Sequence, residues 1–103
     1  MFGNMMGDME EKQKALQEKL ALMEVEAEAG DGAVVVKANG KKELVNIKID
    51  QNKISLGDVE ELEDLVLIAT NRALEEAGAI AEAESQALIS DMLPPGLGGL
   101  FGQ

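Results

Sequence analysis

GDGAVVVKANGKKELVNIKID, residues 30–50, decides the fold. Val34, Val35 and Val36 form a β-branched run between Gly30-Asp31-Gly32 and Asn39-Gly40. From Leu44 onward the residues alternate. Val45, Ile47 and Ile49 share one face, and Asn46, Lys48 and Asp50 share the other. A period of two is that of a strand with one face buried. Asn39-Gly40 predicts a tight hairpin turn, because both residues tolerate positive φ. The stretch therefore reads as two antiparallel strands, over 33–38 and 43–49.

Working backward, EVEAEAG sets Val25, Ala27 and Ala29 against Glu24, Glu26 and Glu28. The alternation predicts a short edge strand over 25–29, whose outward carboxylates discourage edge-to-edge pairing. Before it, Asp8 is placed to cap a helix over 8–24, with Glu10 and Glu11 in its first turn. Met6, Met9, Leu16, Leu20 and Met23 recur three and four apart, with Gln13 the single polar interruption, a seam of about three heptads. Residues 1–7, with two glycines, are expected to fray.

Working forward, Ile54 and Leu56 are expected to tuck against the sheet. Asp58-Val59-Glu60-Glu61 reads as a capping box at the start of a helix over 58–91. Val59, Leu62, Leu65, Val66, Ala69, Ala73 and Ala77 mark its buried stripe. Gly78 is a weak point or a kink. A helix of this length is about 50 Å long, more than a three-stranded sheet can cover. Its second half must project or pack on another subunit. Pro94-Pro95 ends the helical region, and residues 94–103 read as a flexible Pro/Gly tail. The fold class is α+β: a helix, a three-stranded antiparallel sheet and a long helix in one domain over 1–93.

The chain has 103 residues, and its aromatic content of 2% comes from Phe2 and Phe101 alone. The interior must be built from aliphatic residues and alanine, which bury less area than aromatics. A homo-oligomer whose interface completes the core is expected. There is no Cys and no His, so disulfides, thiol nucleophiles, zinc sites and imidazole chemistry are excluded. No catalytic residue, metal ligand or cofactor site is predicted, and the chain reads as non-enzymatic. The acidic runs Glu60-Glu61-Glu63-Asp64 and Glu75-Glu76 read as solvated helix faces. No apolar run approaches the ~20 residues of a membrane span, and the N-terminus lacks the pattern of a signal peptide. A cytoplasmic location without membrane contact is expected.

The net charge is −11, and it is unevenly spread. Residues 1–30 set three lysines against seven acids, residues 31–57 five lysines against three, and residues 58–103 one arginine against ten. Only the middle segment is net positive. Its Lys37, Lys41, Lys42 and Lys48 are secondary candidates for phosphate contact. Lys12 and Lys19 are seven apart and share a helix face, while Lys14 points elsewhere.

In order and spacing, several stretches together resemble the YbaB/EbfC family of bacterial nucleoid-associated proteins. They are Met1-Phe2-Gly3, KQKALQEKLALME, VEAEAGDGAVVVKANGKKELVNIKID, DVEELEDLVLIATNRAL and LPPGL. The resemblance covers nearly the whole chain. It implies a tweezer-like homodimer, with fused sheets at the centre and helices as arms. It also implies binding of double-stranded DNA with little sequence specificity, contributing to nucleoid organisation and gene regulation. By the same resemblance, basic residues on the arms contact DNA, which points to Lys12, Lys14, Lys19 and Arg72. Glu75 and Glu76 stand where the family frequently carries basic residues. The alternative is an acidic dimeric scaffold of the same fold that binds a protein partner instead of DNA.

Overall fold

The computed structural model describes residues 2–55 and 57–92, with residues 2–6 and 92 described by backbone alone. Helix α1 (Phe2–Leu22) is followed by strands β1 (Glu24–Ala29), β2 (Val34–Asn39) and β3 (Leu44–Ile49), then by helix α2 (Val59–Met92). The strands form one antiparallel sheet in the order β1-β2-β3. The expected α+β order stands. The expected tail over 94–103, the place of Leu56 and the Met6 side chain lie outside the described residues.

The dry core is made of small side chains. Ala29, Val34, Val36 and Ala38 of the sheet meet Ala69, Ala73 and Ala77 of α2. Alanines four apart make a flat stripe that lets the helix lie close on the sheet. Val25, Ala27, Leu62, Leu65 and Val66 pack around this stripe. Val59, expected in it, is 60% exposed; it is the first helical residue, before the helix has come down onto the sheet. Asp58 does cap α2, its Oδ1 accepting a 3.0 Å hydrogen bond from the Glu61 N–H. Ile54 is buried as expected.

Three local expectations are corrected. Helix α1 begins at Phe2 and runs through Asp8, so residues 2–7 are helical and Asp8 is not the cap. Extending an existing helix adds one hydrogen bond per residue fixed, so Gly3 and Gly7 do not stop it. In the β2–β3 turn the left-handed residue is Lys42, at φ 64°; Gly40 does not have positive φ. The Lys42 N–H donates to the Asn39 carbonyl at 2.9 Å, and the Asn39 N–H to the Glu43 carbonyl at 3.0 Å. Asn39 Oδ1 also accepts from the Lys41 and Glu43 N–H groups. Lastly, α2 passes through Gly78 without a break.

Gly40 is needed for another reason. Its N–H donates to the Leu20 and Met23 carbonyls at 2.9 and 2.8 Å, satisfying groups left open at the end of α1. A Cβ there would lie 2.9 Å from both the Leu20 carbonyl oxygen and its Cδ2. The hairpin thus fixes the end of α1, and Leu20 is buried beside it.

Strand β3 departs most from its expected burial. Ile49, Ile47 and Leu44 pair with Val34, Val36 and Ala38, so they share the face that α2 covers on β2. Register slips between Lys37 and Ala38, which leaves Val45 as the extra residue of a bulge. Yet Leu44, Val45, Ile47 and Ile49 are 40–47% exposed, because α2 packs on β1 and β2. The second half of α2 leaves the sheet and pairs with α1 in the same chain. The Cα atoms span 64 × 29 × 16 Å. The radius of gyration is 19.0 Å, against ~13 Å for a compact domain of this length.

Candidate nucleic-acid interface

The helical arm carries the first set of candidate residues. Lys12, Ala15, Leu16 and Lys19 of α1 face Glu84, Leu88 and Asp91 of α2 across a shallow groove. Lys12 and Lys19 line that groove together, as their seven-residue spacing predicts. Lys14 is exposed and lies outside it. Lys19 Nζ sits 2.7 Å from Glu84 Oε1, and its side chain stays 59% exposed. Exposed pairs of this kind contribute at most about 1 kcal/mol, so a phosphate can compete for the ammonium.

Arg72 stands apart from these lysines. It leaves α2 toward the outer edge of the sheet, where its Nη1 donates to the Glu28 carbonyl at 2.8 Å. Glu26, Glu28, Glu75 and Glu76 line the same cleft. Four carboxylates around one guanidinium repel an incoming phosphate. Arg72 thereby ties an open carbonyl of the edge strand to the helix.

The hairpin lysines divide between two sites. Lys37 and Lys48 alternate with the core residues of their strands, away from α2. Lys37 lies 3.7 Å from the Glu24 carboxylate. Lys48 pairs with Val35 across the strands. Lys41 and Lys42 are exposed in the turn, next to the end of α1 that Gly40 holds. The end of the Lys42 side chain lies over α2 at Gly78, its Cε 3.4 Å and its Nζ 3.9 Å from where a Cβ would stand. The fold thus brings Lys42 onto α2 at Gly78, on the flank of the arm, while Arg72 is held at the β1 edge and Lys37 and Lys48 lie on the sheet face away from α2.

Two contacts were not readable from the sequence. Glu84 is 65 residues from Lys19 and belongs to a helix whose second half had no assigned neighbour. Seating of Lys42 on Gly78 depends on the left-handed turn residue, which the Asn39-Gly40 pair pointed away from. Among the described residues, no group of three or more acidic side chains is arranged to hold a metal ion, and no helix is long and apolar enough to cross a membrane.

A charged two-helix arm on a sheet with one strand left uncovered defines a small α+β protein built to present its helices. The chain belongs to the YbaB/EbfC DNA-binding family, whose model matches residues 1–92. Among its relatives is a nucleoid-associated protein of Acidobacterium capsulatum, 46% identical over 99 residues, which cover 90% of this chain and 92% of that one. A nucleoid-associated protein of Pelotomaculum thermopropionicum is 41% identical, over 94% of this chain and 98% of its own. In fold, the chain is similar to the crystal structure of the uncharacterized protein HP0035 from Helicobacter pylori. The TM-score is 0.71 at 27% identity, covering 90% of this chain and 94% of that one.

Proposed function

We propose that this chain is a non-enzymatic, homodimeric nucleoid protein that binds double-stranded DNA with little sequence specificity. In that role it contributes to nucleoid organisation and gene regulation. Membership of a DNA-binding family along residues 1–92 carries the reading. The exposed Lys12, Lys14 and Lys19 on the arm supply its chemistry. Ammonium groups that neutralise phosphates release counterions, and that contact does not read base identity. Arg72, bound to the Glu28 carbonyl among carboxylates, is the weakest of the four arm candidates.

The uncovered face of β3 supports the dimer. Four aliphatic side chains, Leu44, Val45, Ile47 and Ile49, lie exposed next to a core of five alanines and two valines. A second copy that covers this face completes the core and sets two arms on one body.

The acidic scaffold is the second reading. It is favoured by the pairing of Lys19 with Glu84 and by the net charge of −11, which opposes DNA at long range. Fluorescence anisotropy with two unrelated labelled duplexes at low salt separates the two. DNA binding predicts similar affinity for both duplexes. A dimeric sample that binds neither, while capturing a stoichiometric protein partner, would decide for the scaffold.

A further inference from the structure

We infer that Lys42 of the β2–β3 turn belongs to the same DNA-contacting strip as Lys12 and Lys19, and that Glu84 is an internal competitor which weakens that strip. This rests on the DNA-binding reading above and extends it by one turn residue and one acid.

Geometry carries the inference. Gly40 fastens the turn to the end of α1 through its two hydrogen bonds to Leu20 and Met23. Lys42, two residues on, takes the left-handed conformation, and the ammonium end of its side chain lies over α2 at Gly78. Lys19 meets α2 at Glu84, and Lys12 lies in the groove with Leu88 and Asp91. Three lysines from two elements therefore follow α2 outward in the order Lys42, Lys19, Lys12. From position 78 to 84 the helix rises about 9 Å and the two positions lie about 120° apart around its axis, so Lys42 flanks the groove that Lys12 and Lys19 line; from Lys12 to Lys19 α1 rises about 10 Å. Phosphates recur about every 3.4 Å of axis along one strand of duplex DNA, so lysines separated by such steps meet different phosphates.

Glu84 faces this strip from α2, and Asp91 lies at its outer end. Of the two, only Glu84 is paired with a strip lysine, at 2.7 Å. A phosphate must displace that carboxylate to reach Lys19. The acid therefore lowers affinity through a local contact, beyond its share of the net charge.

The test is the salt dependence of duplex affinity for the full chain and four variants: Lys42→Asn, Lys53→Gln, Glu84→Gln and Glu82→Gln. Asn tolerates the left-handed conformation at position 42, so the turn is kept while the charge is lost. Lys53 bonds the Asp31 carbonyl in the β1–β2 loop and is the matched lysine control. Glu82, exposed on α2 outside the groove, is the matched acid control. Lys42→Asn is expected to flatten the log–log salt slope by about 0.9 per lost phosphate contact, with Lys53→Gln close to the parent. Glu84→Gln is expected to bind about two- to fivefold tighter than Glu82→Gln, the range set by an exposed ion pair. Equal slopes for Lys42→Asn and Lys53→Gln would overturn the place of Lys42. Equal affinities for the two acid variants would overturn the competitor role. If no protein binds duplex at low salt, the DNA reading itself falls and this inference falls with it.

Discussion

Strands β2 and β3 are hydrogen-bonded neighbours with apolar residues in matching register, yet their surroundings are opposite. Val34, Val36 and Ala38 are fully buried under the alanine stripe of α2. Their partners Ile49, Ile47 and Leu44 carry larger side chains and are 40–46% exposed. The buried strand uses small residues because a helix lies close on it. The exposed strand carries large ones, and among the described residues α2 does not reach over them. Alternation along a strand reports which face is apolar, and neighbours in space decide what covers it.

Substitutions on the two strands sharpen that contrast. Val36→Asp places a carboxylate in the dry core with no partner, at a cost above about 4 kcal/mol. We expect it to abolish the cooperative thermal transition seen by far-UV circular dichroism. Ile47→Asp, one strand over, is expected to spare most of the helical signal and to sediment as a monomer, where the parent chain is expected to sediment as a dimer. Its melting temperature should fall and lose its dependence on protein concentration. A dimeric Ile47→Asp protein would end the claim that a second copy covers β3.

Smaller effects are expected where the sheet holds its helices. In Gly40→Ala the new Cβ meets the Leu20 carbonyl oxygen at 2.9 Å. Overpacking of this kind costs about 1–3 kcal/mol, about 4–8 °C of melting temperature per kcal/mol in a chain of this size. Asp58→Ala removes the cap of α2 and should cost about 1 kcal/mol by denaturant unfolding. Lys19→Gln breaks only the exposed pair with Glu84. It should change stability by less than about 1 kcal/mol while weakening duplex binding. That separation of stability from affinity distinguishes an arm residue from a core residue.

Most of the fold was legible in the sequence because each element carries its own periodicity. The alternation of Val25, Ala27 and Ala29 against three glutamates placed β1 within one residue. The Asp58 box placed the start of α2, and alanines four apart named the face that meets the sheet. The errors fell where distant segments decide the local structure. Gly40 looked like a turn glycine, but it is required by the approach of Leu20 from α1. Gly78 looked like a weak point, but α2 passes through it unbroken and the end of Lys42 rests on it. The second half of α2 looked unpartnered because its neighbour, α1, lies more than 60 residues away in sequence.

The candidate site was legible only in part, for the same reason. Lys12 and Lys19 share a groove because helix spacing places them so. Nothing in the sequence tied Lys42 to the arm, Glu84 to Lys19 or Arg72 to the Glu28 carbonyl.

On the proposed reading, a strongly acidic chain contacts DNA through lysines grouped on its arms. The most direct measurement is the affinity of the full chain for a non-specific duplex between about 50 and 200 mM salt. Binding is expected at the lower salt, with a linear log–log decline of slope steeper than about −3, as several phosphate contacts per dimer require. A dimeric protein that fails to bind at low salt, or whose affinity does not change with salt, would contradict it.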